Sequence, residues 1–357
     1  SSEATAVGDE SLKDFNKLHG NVYNTVGNIG ASANVDGNLR APHSMNGLNL
    51  AYLQSSLDYG LVSFTRGITY YLGLGNSDDV GLLTFGLATR GMGLSLDIGT
   101  GKTNVFGESA NVKTSSSTVE EGDVFGLRFS MPMGGLELLT HFEWLTIEDQ
   151  KSTDNGTTEL NANYWDLMFE AEINNTPSAK DLYWAGGAKI LRRNLRKETT
   201  TAGVTALNSD LDSHFEIAPH FDLAFNVLGN ERARVLIGSN NTLGFQMFDK
   251  IDNTTDGRFE LGLFLAPNIF AEIALTKNWM FFGGASHTLN VFSMSSEKYN
   301  DDSNDFTIQT LTEHTSAEIG TRFQWKSFAL EASLSEAFFG ALNKDNSDFN
   351  LNAFIYF

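Results

Sequence analysis

The sequence predicts an all-β protein, a transmembrane antiparallel β-barrel of about 14 strands with an N-terminal plug. Three observations predict this fold class. Residues 259–275 alternate between apolar side chains and mostly small or polar ones without a break. The same alternation recurs along most of the chain after residue 67, between connections that are alternately short and long. The chain also ends on an alternating strand whose last residue is the aromatic Phe357.

The alternation in residues 259–275 indicates one very long strand. Every odd-numbered residue from Phe259 to Leu275 is apolar, and the even positions include Glu260 and Glu272. A period of two means an extended strand whose two faces meet different surroundings. At about 3.3 Å per residue the strand would measure about 50 Å, far longer than a strand of a soluble sheet. A tilted strand needs only about 9–11 residues to cross a bilayer, so the pattern favours a membrane barrel.

The predicted strands follow the same register through the rest of the chain. They cover residues 67–75, 79–89, 91–101, 123–131, 136–148, 161–174, 181–194, 212–227, 231–247, 258–276, 278–291, 309–325, 328–339 and 348–357. Long polar loops are predicted at residues 102–122, 149–160, 198–211, 249–257, 295–305 and 340–347. Alternately short and long connections are typical of outer-membrane barrels, and the pattern allows roughly 12 to 16 strands. Pro219 and Pro267 lie mid-strand, where each loses a ladder hydrogen bond; a static bend is predicted, with a bulge or a lateral opening as the alternative.

Composition limits the classes of function. The chain has 357 residues, 41% of them hydrophobic, with a formal net charge of −20 and no cysteine. The negative charge argues against nucleic acid as a partner, and the lack of cysteine excludes disulfides and thiolate metal sites. The sequence begins without Met or an apolar leader, so we expect a mature chain in the bacterial outer membrane after removal of a signal peptide.

Residues 1–60 do not follow the strand rhythm and are predicted to form a separate N-terminal plug, with the barrel at 61–357. Leu12, Phe15 and Leu18 have helical spacing, which predicts a short helix before a stretch rich in small residues. A lumen enclosed by about 14 strands is wide enough to need filling. The alternatives are a disordered periplasmic tail and an additional strand pair around residues 48–64.

The stretch Gly27–Pro42, GNIGASANVDGNLRAP, resembles the hatch of the long-chain fatty acid outer-membrane transporter (FadL) family. That family has a small-residue run followed by Asp, Gly-Asn and a nearby Asn-Pro-Ala, where this chain has Ala41-Pro42-His43. The resemblance implies a 14-stranded barrel that takes up small molecules, hydrophobic ones included, when the plug shifts. The predicted plug residues are Asp36, Asn38, Arg40 and Pro42.

The predicted inward faces of the strands carry many ionisable side chains, which we expect to line the lumen and to contact a small-molecule ligand. These predicted pore-lining residues are Glu143, Asp166, Glu170, Glu172, His214, Glu216, His220, Asp222, Arg232, Arg234, Glu260, Glu272, Glu318 and Arg322. Such charges need water or partners. They predict either a field that favours cations or a ladder of structural ion pairs, and Arg232 and Arg234 are expected to pair with Asp222 and Glu216 across a tight hairpin.

No pattern in the sequence predicts an enzyme, a metal site or a cofactor. His214 and His220 share a strand but lie about 20 Å apart, and no ligand spacing typical of a metal site is found. The cluster Arg192, Arg193, Arg196 and Lys197 suits contact with the phosphates of outer-membrane lipid and lipopolysaccharide. The alternatives to an uptake channel are a general diffusion porin with mild cation preference and a non-transporting, secretion-associated scaffold whose protein partner is unknown.

Overall fold

A computed structural model of the protein describes residues 40–55, 59–77, 80–108, 115–153, 158–201, 204–208, 213–249, 255–299, 304–309, 313–338 and 347–357. These residues form strands joined by turns, together with a short 3-10 helix at Pro42–Met45. In the described ranges, no helix is long and apolar enough to cross a membrane.

Eighteen strands run through the described residues. They are β1 (Leu50–Gln54), β2 (Tyr59–Thr65), β3 (Ile68–Ser77), β4 (Val80–Ala88), β5 (Gly93–Glu108), β6 (Ser115–Met133), β7 (Leu136–Thr153), β8 (Thr158–Asn174), β9 (Leu182–Thr201), β10 (Val204–Asn208), β11 (His214–Gly229), β12 (Ala233–Phe248), β13 (Thr255–Ala274), β14 (Trp279–Tyr299), β15 (Asn304–Gln309), β16 (Glu313–Trp325), β17 (Phe328–Phe338) and β18 (Ser347–Tyr356).

Sixteen of these strands form a closed antiparallel barrel. Each pairs with its neighbour in the chain, except that β9 pairs directly with β11 and β14 directly with β16. The short strands β10 and β15 extend the outer ends of β9 and β14 as hairpins. The ring closes where β1 pairs with β18, and there the backbone N–H of Phe357 donates to the carbonyl of Asn49 at 3.3 Å.

The prediction of about 14 strands was wrong by two. Each of the fourteen predicted ranges overlaps an observed strand, and the two additional strands are β1 and β2. They lie where an extra strand pair was the alternative to a plug that reached residue 60. β1 has only five residues, too few for alternation to be recognised beside a stretch of small and polar side chains.

Several predicted long loops are also strand. Residues 102–108 belong to β5 and residues 115–122 to β6, so most of the polar stretch between them continues the hairpin. The stretches around residues 200 and 300 likewise continue as hairpins, which include β10 and β15. Most of their side chains are polar, so the sequence shows no sustained alternation there, although backbone pairing persists.

Inward and outward side chains alternate as predicted. In β13, Ile269 and Ile273 are exposed on the outer face, whereas Phe270 and Glu272 between them are buried on the inner face. The same holds for β3, whose outward side chains are Ile68, Tyr70, Leu72 and Leu74. A barrel with apolar residues outside and carboxylates inside is the reverse of a water-soluble protein and suits a lipid environment.

The two mid-strand prolines do not produce bulges, which were the alternative to a static bend. The pairing register is the same on both sides of Pro219 and on both sides of Pro267. The register shifts lie between Asn226 and Leu228 in β11, and in β13 between Thr255 and Gly257 and between Leu263 and Phe264. A proline removes one ladder hydrogen bond but inserts no extra residue, so the register can continue past it.

Aromatic rings lie over glycines on the inner wall. A Cβ added to Gly60 would be 2.1 Å from the ring of Tyr52, and one added to Gly320 would be 2.2 Å from the ring of Phe282. The glycines therefore provide the space in which these rings lie flat against the neighbouring strand.

Replacing Gly320 by Val should lower the free energy of unfolding by about 1–3 kcal/mol, because the new side chain collides with Phe282. Urea unfolding in phospholipid vesicles, followed by tryptophan fluorescence, measures the change. Gly244→Ala is the control, since its Cβ would meet no atom closer than 3.9 Å. Combining Gly320→Val with Phe282→Ala should recover part of the loss; a double variant less stable than Gly320→Val would contradict the collision.

Candidate functional site

Residues 40–49, which precede β1, contact inward-facing residues of the barrel. The 3-10 helix contacts β4, β5 and β6, and Pro42 and Met45 within it are buried. The backbone N–H of His43 donates to Ser130 Oγ at 2.9 Å. Met45 packs in one apolar cluster with residues of β1, β2, β3, β4, β17 and β18. Residues 40–49 therefore contact strands from β8 to those at the closure of the ring.

Arg40 anchors this segment to β8 through two carboxylates. Its Nη2 donates to Glu170 Oε1 at 3.2 Å and also to Glu172 Oε2. Only 2% of the Glu172 side chain is exposed, so the pair is shielded from water. Burial alone would lower the pKa of Arg40, but the charges and hydrogen bonds of Glu172 and Glu170 outweigh it and raise the pKa. The guanidinium thus neutralises carboxylates that would otherwise repel each other.

A polar cavity of about 430 Å³ lies beside Arg40, against the inner wall formed by β8, β9, β11, β12 and β13. Both signs of charge face it, together with amide and hydroxyl groups. Its lining residues are Arg40, Glu170, Lys189, Glu216, Ala218, His220, Asp222, Asn240, Thr242, Gly244, Gln246 and Phe264. A concave site with several convergent polar groups is the kind of surface that binds small molecules.

Glu170, Glu172 and His220 converge at the floor of the cavity. One ligand atom from each lies within 4.8 Å of the others. His220 Nε2 is 3.6 Å from Glu172 Oε2, and its Nδ1 is 3.1 Å from Asp222 Oδ2. Between them on β9 lies Gly187, where an added Cβ would be 2.6 Å from His220 Nε2. The lack of a side chain at this position lets the imidazole reach across β9 to Glu172.

The sequence does not reveal this convergence. Glu172 and His220 are brought together by the register, because both are paired with Gly187 of the intervening strand β9. Hydrophobic alternation assigns each residue to the inner face but cannot align one strand with another. The one signal in the sequence that could have indicated the site is Gly187, a small residue on the strand that separates the inward residues Glu172 and His220.

Ion pairs account for many of the other predicted pore-lining residues. Closest approaches are 2.5 Å for Asp166 with Arg193, 2.8 Å for Glu216 with Lys189, 2.8 Å for Glu272 with Arg234, 3.0 Å for Glu260 with Arg258 and 2.5 Å for Glu331 with Arg322. Glu143 lies 3.7 Å from His141, and His214 lies 3.9 Å from Glu216. Of the two alternatives left open by the sequence, structural ion pairs thus describe much of the inner wall.

The expected pairing of Arg232 and Arg234 with Asp222 and Glu216 was wrong. Arg234 is registered with Gly229, whereas Asp222 is registered with Asn240, about 20 Å further along the strand. Arg234 pairs with Glu272 of β13 instead, and Arg232 lies exposed in the turn, where its Nε donates to the carbonyl of Ala274 at 3.1 Å. A tight hairpin places only residues equidistant from the turn opposite each other.

The remaining predicted residues are distributed as follows. Glu318 and Arg322 are buried on the inner face of β16. Of the predicted plug residues, Arg40 contacts Glu170 of β8 and Pro42 is buried in the 3-10 helix. Asp36 and Asn38 lie outside the described residues, as does the short helix predicted around Phe15.

Comparisons with solved structures find outer-membrane barrels. BauA, the ferric preacinetobactin receptor from Acinetobacter baumannii, has a TM-score of 0.48 and 11% identity over 85% of this chain and 58% of that one. CdiB from Acinetobacter baumannii has a TM-score of 0.46 and 9% identity over 86% of this chain and 59% of that one. The CymD monoaromatic hydrocarbon channel has a TM-score of 0.41 and 8% identity over 88% of this chain and 90% of that one.

These similarities concern the β-barrel fold and assign no activity. The chain spans less than three-fifths of the length of BauA or CdiB. The sequence matches no protein-family profile and no curated protein. The resemblance of residues 27–42 to the FadL hatch rests on the sequence alone, and most of that stretch lies outside the described residues.

Proposed function

We propose that the protein is an outer-membrane channel for passive uptake of small molecules, in which the segment ending at residue 49 obstructs the lumen until it moves. One observation carries this proposal: Arg40 anchors residues 40–49 to inward carboxylates of β8 beside a polar cavity. The apolar outer face of the barrel supports a location in a membrane, and the closed ring of strands supports the outer membrane.

The lining of the cavity favours small polar or charged molecules over hydrophobic ones. Lys189 and Glu216 face it with opposite charges, and Asn240 and Gln246 add amide groups that both donate and accept hydrogen bonds. A hydrophobic molecule would leave these groups without partners at a cost in free energy. We therefore replace the hydrophobic ligand implied by the FadL resemblance with a polar one.

Replacing Arg40 by Gln should increase ion current, because it removes the charge that holds the segment to Glu170 and Glu172. Single-channel recording in planar bilayers measures this: we expect brief, rare openings for the unmodified chain and at least about tenfold longer total open time for Arg40→Gln, equivalent to about 1.4 kcal/mol. Arg192→Gln is the control, since Arg192 pairs with the exposed Asp249, away from the cavity.

A reversible disulfide that fixes the segment to β6 provides the opposite test. His43 Nδ1 lies 2.7 Å from Ser130 Oγ, and the chain contains no cysteine, so His43→Cys with Ser130→Cys introduces one defined pair of thiols. Oxidation should abolish openings, and reduction should restore them. A large pore that stays permanently open in every variant would contradict the proposal and favour the diffusion porin, whose cation preference a reversal potential in a salt gradient would measure.

A further inference from the structure

We propose that Glu170, Glu172 and His220 form a divalent-cation site that competes with Arg40 for the same two carboxylates. The site lies at the floor of the cavity, where the three side chains present one ligand atom each within 4.8 Å of one another. Cation binding itself does not depend on transport, whereas its role as a regulator of the lumen rests on the proposed channel function.

The orientation of His220 points to a cation. Asp222 fixes the ring through Nδ1 at 3.1 Å, which leaves Nε2 directed at Glu172. In the described residues this buried Nε2 has no hydrogen-bond partner, which is costly for a ring nitrogen shielded from water. A carboxylate that holds one nitrogen while the other faces further carboxylates is the arrangement by which proteins orient a metal-binding histidine.

The distances suit zinc. Tetrahedral zinc with ligand bonds of about 2.0–2.2 Å sets neighbouring ligand atoms about 3.4 Å apart. His220 Nε2 and Glu172 Oε2 are already 3.6 Å apart. Glu170 lies two residues from Glu172 on the same face of β8, and its carboxylate lies within 4.8 Å of the other two ligand atoms, so it supplies the third ligand. Gly187 leaves the space beside Nε2 free of side chain.

The positively charged guanidinium of Arg40 already occupies the place of a metal cation in this site. Its guanidinium donates to both carboxylates, and these hydrogen bonds use the oxygens that a metal would need. A metal and Arg40 therefore exclude each other. Because Arg40 belongs to the segment that obstructs the lumen, metal binding would release one of the anchors of that segment, and removal of Arg40 would strengthen metal binding.

Zinc titration by calorimetry tests the competition, using the full chain in detergent without a histidine tag. Arg40→Gln should bind Zn²⁺ at least about tenfold more tightly than the unmodified chain. In the Arg40→Gln background, His220→Gln or Glu172→Gln should abolish measurable binding, and Asp222→Asn should weaken it by about 10–100-fold. Calcium should bind far more weakly, since it requires about six to eight oxygen ligands.

His214→Gln in the same background is the matched control, because His214 is an inward histidine of the same strand with Glu216 two residues away. It should leave zinc affinity unchanged. Equal losses for His214→Gln and His220→Gln, or no gain from Arg40→Gln, would overturn the proposed site. Zinc binding without any change in channel current would keep the site and reject only its link to the lumen.

Discussion

Replacing Arg322 by Met should destabilise the barrel by about 3–5 kcal/mol, the loss expected when one member of a buried ion pair is removed. Arg322 and Glu331 are paired across β16 and β17 at 2.5 Å, and both side chains are fully buried. Arg322 also donates to the hydroxyl of Tyr356 on β18 at 2.7 Å and so connects three neighbouring strands. Urea unfolding in phospholipid vesicles gives the free energy.

The double variant Arg322→Met with Glu331→Leu distinguishes two contributions to the free energy of unfolding: the cost of an unpaired buried charge and the stabilisation from the ion pair itself. It should recover most of the loss, because no carboxylate is then left buried without its guanidinium. Arg192→Met is the surface control: it breaks the exposed pair with Asp249 and should change stability by no more than about 1 kcal/mol. A double variant as unstable as Arg322→Met would show that packing, and not charge, sets the cost.

Replacing Gly93 by Ala should dislodge the segment from the lumen. The added Cβ would be 2.0 Å from the backbone nitrogen of His43 and 2.3 Å from the carbonyl carbon of Pro42. Backbone atoms cannot swing aside like a flexible side chain, so the 3-10 helix as a whole must shift. We expect channels that remain open for most of the recording, a larger effect than that of Arg40→Gln.

A thiol at Met45 reports the movement without any measurement of current. Met45 is 2% exposed and the chain has no cysteine, so Met45→Cys should react slowly with a water-soluble maleimide. Adding Gly93→Ala should accelerate labelling by at least about tenfold, since labelling follows the open population. Gly91→Ala, two residues away with nothing within 4 Å of its Cβ, should not. Unchanged labelling with Gly93→Ala would mean that the segment stays in place.

The strands were predictable because lipid outside and polar groups inside impose a period of two on each crossing. That physical demand is strong in β13, where Ile269 and Ile273 alternate with Phe270 and Glu272, and all fourteen predicted strands overlap observed ones. The alternation is weak in β1, which has only five residues, and it is absent where the polar hairpin of β9 and β10 continues. Hydrophobic alternation cannot reveal a strand in the sequence where both faces of that strand meet the same environment.

The candidate site was predictable only in part. Alternation assigned Glu170, Glu172 and His220 to the inner face, as the structure has them. Their convergence depends on the register of β8, β9 and β11 and on the missing side chain of Gly187. The contact of Arg40 with β8 joins residues 130 or more positions apart, and local periodicity carries no information about such a contact.

The barrel closes at a single joint, where the first strand pairs with the last. β1 has five residues whereas β14 has 21, so the first and last strands are joined by only a short ladder of backbone hydrogen bonds. The apolar cluster that lines this joint from inside includes Met45 together with Leu50 and Phe354. The residues just before β1 thus pack against the short joint between the first and last strands, so that withdrawing Met45 would remove apolar contacts that support this joint.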